Sequence, residues 1–330
     1  LATNGQIQGT ILVADDHGAI REGLAEMLRQ NGYRVISVED GEKALQEIRN
    51  HPVDLALLDV IMPGRTGFSI CREVKSSPET CLIPVMLITG LTNAEDRIQG
   101  IEAGADDFLN KPVKKEELLA RVRSLVRLKR ITDELEHAET VLCMLARSIE
   151  AKDPYTEGHC DRLSRFSVSL GERIGLSADR CVALRRGGIV HDIGKVVVPE
   201  YVLLKPGPLD ATERKLIEDH PIVGERICEP LKSFRHVLPI IRSHHEKQDG
   251  SGYPDRLRGS EIPLEARILQ TVDIYDSLTT ARPYRAALSQ EKALEIMWEE
   301  TRRGWWDAEL VDALQEMLQQ SPLAFSALAI

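Results

Sequence analysis

Between residues 10 and 125, short apolar runs rich in β-branched residues alternate with amphipathic stretches: Ile11-Leu12-Val13, Val35-Ile36, Val53 to Leu58, Val85 to Ile88 and Phe108-Leu109. Strands without a polar face belong in a sheet covered by helices on both sides, so this pattern predicts a parallel α/β domain. Beyond residue 150 the period changes. Leu163, Phe166, Leu170 and Ile174 recur at helical spacing, and Val182, Leu184 and Ile189 contribute a second face. No stretch there alternates as a strand would, which predicts an all-α second domain. Between the two, Leu128, Ile131, Leu135, Ala138, Leu142, Leu145 and Ile149 repeat at 3-4 spacing with no Gly or Pro among them. This heptad seam predicts one long helix that continues the last helix of the first domain. Two readings of it remain open: a dimerising or signal-carrying coiled coil, or a single helix burying one stripe against its own second domain. Pro154 disfavours helix at Asp153, so the helix should end before it. The expected divisions are 8–128, 129–150 and 151–330.

A chain of 330 residues, 42% of them hydrophobic, can bury two domain cores. Its net charge of −10 does not provide the broad positive surface that nucleic acid requires. No DNA partner is expected, and an anionic substrate would need specific Lys and Arg. The six cysteines, Cys71, Cys81, Cys143, Cys160, Cys181 and Cys228, show no C-x-x-C spacing. They read as free thiols in a reducing cytoplasm. The apolar runs are far shorter than a membrane span and the N-terminus has no signal-peptide pattern, so a cytoplasmic protein without membrane insertion is expected. The chain opens on Leu1 rather than Met, as if its native start were missing.

Polar residues follow the predicted strands: Asp15-Asp16 after the first, Asp59 after the third, Thr89 after the fourth and Lys111-Pro112 after the fifth. Parallel sheets bind ligands at the carboxyl ends of their strands. Three carboxylates there can hold Mg²⁺, one can attack phosphorus as a nucleophile, and Lys111 can offset charge on a transferred phosphoryl group. Any one of these residues alone reads as a turn or a helix cap. Together with Asp59-Val-Ile-Met62-Pro63 and Gly67, the set resembles the flavodoxin-like receiver domain of two-component response regulators, over about residues 8 to 128. That resemblance implies Asp59 as phospho-acceptor, Asp15, Asp16 and Asp59 as Mg²⁺ ligands, and a sensor histidine kinase as partner. It also implies Thr89, Phe108 and Lys111 as the switch residues and a cis Lys111-Pro112 bond. The other reading is a receiver that no longer accepts phosphate and serves for docking.

Five of the nine histidines fall in one C-terminal pattern: His159, then His191-Asp192, His220 and His244-His245, closed by Asp273. Seven ligand-type side chains suit two metal ions better than one, because a carboxylate beside imidazoles can bridge a pair of borderline metals. His17, His51, His137 and His236 read as exposed, capping or hydrogen-bonded. Adjacent residues do not share a helix face, so His191 and Asp192 converge only where a helix ends, and Gly194 is compatible with such an ending. Lys195, one turn on, can point at the same place. Asp210-Ala-Thr-Glu213 reads as a capping box opening the helix that carries His220.

His191-Asp192-Ile-Gly194-Lys195, His244-His245-Glu246, Asp249-Gly250-Ser-Gly252-Tyr253-Pro254 and Asp273-Ile-Tyr-Asp276 through Arg282-Pro283-Tyr284-Arg285 resemble the HD-GYP branch of the HD phosphohydrolases, over about residues 140 to 320. The resemblance implies hydrolysis of cyclic di-GMP to linear pGpG, GMP or both, by a hydroxide that two metals activate and that attacks phosphorus in line. The metals would be Fe, Mn, Ni or Zn, held by His159, His191, Asp192, His220, His244, His245 and Asp273. Asp192 would bridge them and Lys195 would bind the scissile phosphate. Relatives with three metals use a Glu four residues before the first ligand histidine. Tyr155 stands there in this chain, so two metals are expected. Lys205, Arg282 and Arg285 read equally as substrate-binding cations or as solvated and salt-bridged charge. Glu261, Asp276 and Trp305-Trp306 read as capping and packing residues. Rival expectations are a scaffold that contacts diguanylate cyclase domains through the GYP loop, and a phosphodiesterase that prefers the linear dinucleotide. A homodimer through residues 128–149 is a further expectation.

Overall fold

The computed structural model describes residues 7–90, 94–151, 158–281 and 286–320. The chain divides into two compact units, Leu1–Ala138 and Glu139–Ile330. The first alternates strand and helix: β1 (Thr10–Ala14), α1 (Gly18–Arg29), β2 (Arg34–Val38), α2 (Gly41–Asn50), β3 (Leu55–Asp59), α3 (Gly67–Ser76), β4 (Val85–Thr89), α4 (Ala94–Glu102), β5 (Asp107–Asn110) and α5 (Lys115–Glu150). All five strands run parallel in the order β2-β1-β3-β4-β5. β3 and β4 are buried at every position, as their unbroken apolar sequence requires. Alternate residues feed two cores: Leu12, Leu58 and Leu87 on one face, Ile11, Leu57 and Met86 on the other. Direction reverses between β1 and β3, and Asp15 and Asp59 lie at their adjoining carboxyl ends.

The 36-residue α5 continues without a break from the first unit into the second. Its seam is buried only in part. Leu142 and Ala146 are buried in the second unit's core, with Ile149 packed against it, whereas Leu128, Ile131, Leu135 and Leu145 stay exposed. The helix ends at Glu150, ahead of Pro154.

Among the described residues, the second unit is helical apart from one isolated bridge, Asp249 to Arg258. Its helices are α6 (His159–Arg173), α7 (Ala178–Val190), α8 (Glu200–Leu203), α9 (Ala211–Glu218), α10 (His220–Cys228), α11 (Leu238–Ser243), α12 (Leu264–Thr279), α13 (Gln290–Arg302) and α14 (Ala308–Gln320). Leu163, Phe166, Leu170 and Leu184 enter its core as their spacing predicts, but Val182 is exposed because it lies off the buried stripe of α7. None of the described helices is long and apolar enough to cross a membrane. All six cysteines are free.

Candidate metal centre

At the carboxyl edge of the sheet, the Lys111 ammonium lies 2.9 Å from both Asp15 Oδ2 and Asp59 Oδ2. Asp15, Asp16, His17 and Asp59 offer ligand atoms within 4.8 Å of one another. His17 was not expected in this group; its Nδ1 lies 2.8 Å from Asp16 Oδ1 on an exposed ring. Burial raises the Asp59 carboxyl above its usual range, and Lys111 offsets only part of that. For Lys111, burial opposes the charge, but Asp59 and Asp15 outweigh it and raise its pKa. Gly67 is required by close approach, since a Cβ there would come within 2.4 Å of the Asp59 carbonyl oxygen. Thr89 is buried at the end of β4, Phe108 is half-buried on β5, and the Lys111-Pro112 bond is cis.

In the second unit, seven side chains from five helical segments converge as two adjoining groups. One holds His159, His191 and Asp273, the other Asp192, His220, His244 and His245, each with ligand atoms within 4.8 Å of one another. His191 and Asp192 meet there because α7 stops at Val190 and the chain tightens into a 3-10 turn, Ile193–Val197. Gly194 serves a different purpose from the one expected of it. Its backbone is in the right-handed turn, and a Cβ would sit 1.9 Å from the His220 carbonyl oxygen, so glycine is needed for α10 to approach. The capping box at Asp210 and Glu213 is present, but the helix it opens ends at Glu218. His220 begins the next helix, because Pro221 has no N–H with which to continue α9.

The two oxygens of Asp192 face different groups. Oδ1 is 3.1 Å from His220 Nε2 and 3.8 Å from His244 Nε2, whereas Oδ2 is 3.3 Å from His191 Nε2 and 2.5 Å from Lys195 Nζ. Burial would raise the Asp192 carboxyl, but Lys195 and His191 outweigh it and hold it well below the usual range. Three imidazoles donate Nδ1–H to a carbonyl three residues earlier: His191 to Gly188 at 3.2 Å, His220 to Ile217 at 2.5 Å and His244 to Ile241 at 2.7 Å. This fixes the tautomer and leaves Nε2 as the inward ligand atom. Burial lowers His244 to about 4 and His245 well below its ordinary value, so both are neutral at neutral pH, as metal ligands must be. For His191, burial is outweighed by Asp192, which raises its pKa. His191 Nε2 and Asp192 Oδ1 are buried without hydrogen-bond partners among the described residues. Two buried lone-pair atoms that no proton donor satisfies, beside neutral imidazoles, are the donor set that a borderline divalent metal satisfies.

Supporting residues hold this set in place. His159 Nδ1 lies 2.7 Å from Asp276 Oδ2, and Arg162 Nε donates to Asp276 Oδ1 at 2.6 Å. Asp276 therefore orients a ligand histidine, a role beyond the capping and packing expected of it. Its position three residues after Asp273 on α12 was the available signal. The Glu246 carboxylate, fully buried, accepts the backbone N–H groups of Asp255, Arg256 and Leu257 and so anchors the GYP loop. Tyr253 of that loop stacks on His245 with ring centroids 4.7 Å apart. Glu261 caps its short turn as expected, and Trp305 packs under the Lys247 ammonium at 3.4 Å. Lys205 is paired with Glu213 at 2.6 Å on the surface. Tyr155, Arg282 and Arg285 lie outside the described residues.

The receiver domain family matches residues 11–123 and the HD domain family matches residues 143–310. The "Cyclic di-GMP phosphodiesterase response regulator RpfG" of Xanthomonas campestris pv. campestris is 34% identical over 92% of this chain and 86% of its own. The chain belongs to the response regulators that join a receiver to an HD domain. A "Probable cyclic di-GMP phosphodiesterase" of Vibrio cholerae is 33% identical over 93% of this chain and 77% of its own. A "3'3'-cGAMP-specific phosphodiesterase 3" of the same organism is 38% identical over 58% of this chain and 42% of its own. For this response regulator, the receiver implies a phosphodonor such as a kinase.

Proposed function

We propose that this response regulator hydrolyses cyclic di-GMP to linear pGpG, GMP or both, under control of phosphorylation at Asp59. The observation that carries the reading is the pair of adjoining ligand groups with one oxygen of Asp192 directed at each. His159, His191, Asp192, His220, His244, His245 and Asp273 would hold two transition-metal ions, Fe, Mn, Ni or Zn. When bound, such a pair lowers the pKa of water and offsets charge on phosphoryl oxygens. Asp192 keeps the two groups in register. Lys195, which donates to the same carboxylate, would exchange that contact for the scissile phosphate of an incoming diester. Arg282 and Arg285 would neutralise the second phosphate, with Lys205 able to join them by releasing Glu213.

In the receiver, Asp15, Asp16 and Asp59 would hold Mg²⁺, and Asp59 would take the phosphoryl group from a sensor histidine kinase. Lys111, between two carboxylates, would follow the new phosphoryl oxygens, and Thr89 and Phe108 would respond to them. The domain ranges we propose are 8–128 and 151–330, with 129–150 as connector. The exposed Leu128, Ile131 and Leu135 of α5 fit a homodimer formed through that connector.

A second substrate reading, 3'3'-cGAMP, is favoured by the similarity to the Vibrio enzyme that carries that name. Purified protein loaded with Fe²⁺, Mn²⁺ or Ni²⁺ should be offered cyclic di-GMP, 3'3'-cGAMP and linear pGpG, with the receiver phosphorylated and unphosphorylated. The expected result is linear product from cyclic di-GMP at a rate that changes with phosphorylation, and none from His191→Ala. Cleavage of the linear dinucleotide alone would overturn the substrate assignment, and equal rates in both receiver states would overturn the coupling.

A further inference from the structure

A small open cleft adjoins the candidate metal centre on the side of Lys195. One wall is the last turns of α5, with Ala146 and Ile149; the facing wall is α8 and the residue after it, with Leu203 and Leu204. His159, Asp192 and Lys195 line it toward the ligand set. The 195–204 segment that forms the second wall also leaves Val196, Val197, Tyr201 and Leu204 exposed to solvent, an apolar patch beside a highly polar centre. Exposed apolar surface around a functional site marks a place where something flat or apolar binds.

Among the described residues, the charged side chains lining the cleft apart from Lys195 are acids, Asp192, Glu150 and Glu200, a poor setting for a second phosphate. Glu150 Oε1 is committed to the Cys160 backbone N–H at 3.1 Å. Glu200 is exposed, and its carboxylate makes no hydrogen bond or ion pair among the described residues. Aliphatic walls with an acceptor-only group at the rim suit a ring that is apolar on its faces and donates from one edge. Because Lys195 lines the cleft, a phosphate held by it would bring its nucleoside to the cleft's mouth.

We infer that the cleft is a nucleobase subsite selective for guanine, gripped between the α5 and α8 walls and read by Glu200. This rests on the cyclic-dinucleotide reading above. An ionised carboxylate accepts from guanine N1–H and N2–H₂ together. Adenine presents a lone pair at N1, which faces the carboxylate unfavourably. Selection between the two bases therefore comes from one side chain, while the aliphatic walls serve either base.

The full-length protein loaded with Mn²⁺ tests this with cyclic di-GMP and cyclic di-AMP, the latter followed as an inhibitor where it is not turned over. Glu200→Gln should lower the preference for cyclic di-GMP over cyclic di-AMP by about tenfold or more, mainly through KM or the inhibition constant. Glu200→Ala should lose affinity for cyclic di-GMP and, by removing the carboxylate that opposes adenine N1, gain some for cyclic di-AMP, whereas Leu204→Ser should weaken both alike. An unchanged preference in both Glu200 variants overturns the subsite. Failure of the unsubstituted protein to cleave or bind either cyclic dinucleotide, while it still cleaves bis(p-nitrophenyl) phosphate, overturns the underlying substrate reading instead.

Discussion

Asp276 contacts the metal centre only through His159, yet its carboxylate, 2.7 Å from Nδ1 and braced by Arg162, sets which nitrogen of that ring faces inward. Burial would raise its pKa, but His159 and Arg162 outweigh burial and keep it ionised. An amide in its place can present either a donor or an acceptor to His159 and no charge. Asp276→Asn should therefore weaken metal binding about 10–100-fold, read by competition with a chromophoric chelator. At Asp59 the sign is opposite. Burial raises the folded-state carboxyl pKa, so stability falls as pH rises from the ordinary aspartate value of about 4 through the folded value, and the whole cost is present above it. Without Mg²⁺ at neutral pH, Asp59→Asn should melt at a higher temperature than the unsubstituted chain, and Mg²⁺ should then stabilise the variant less. A lower melting temperature for the variant would show that Lys111 needs both carboxylates more than burial penalises them.

At the scale of elements, the second unit places most of its candidate ligands at helix ends. His191 follows α7, His220 starts α10, and His244 and His245 follow α11. Helix ends let neighbouring residues converge, which a continuous helix forbids, and their carbonyls are free to fix the imidazoles. The 3-10 turn after α7 can touch α10 only through Gly194. Gly194→Ala should push α10 away, destabilise the protein by about 1–3 kcal/mol and cost it metal. A lower denaturation midpoint with an unchanged slope is the expected measurement. These element types were legible in the hydrophobic period, and so was the capping box at Asp210. The break at His220 is legible too, in Pro221, which cannot continue the helix that the capping box opens. The role of Gly194 was hidden, because close approach depends on a helix 26 residues further along the chain.

At the scale of the whole molecule, α5 is shared by both units, and its last turns form part of the second unit's core and a wall of the cleft beside Lys195. Under the proposed control by Asp59, a receiver that alters the path of α5 would act on the candidate centre through these last turns. Seven ligands in two groups, with Tyr155 in place of a third site's carboxylate, lead to an expected two metal ions per fully loaded chain. Elemental analysis of the protein after metal reconstitution checks this, and three per chain would require a carboxylate from elsewhere.

The sequence by itself determined the two architectures and named the candidate ligands that the structure gathers into two groups. Hydrophobic period dictates which face of each element is buried, and carboxylates and imidazoles carry their chemistry wherever they stand. Only the tertiary structure decided how the inventory is divided: His159 joins Asp273 from 114 residues away, Asp192 turns one oxygen to each group, and Asp276 and Glu246 become supports. Local pattern carries no information on such distances, because they are set by how helices pack and where they end. The same holds for α5: Val122 and Leu125 are buried in the first unit's core and Leu142 and Ala146 in the second's, whereas Leu128, Ile131 and Leu135 between them stay exposed.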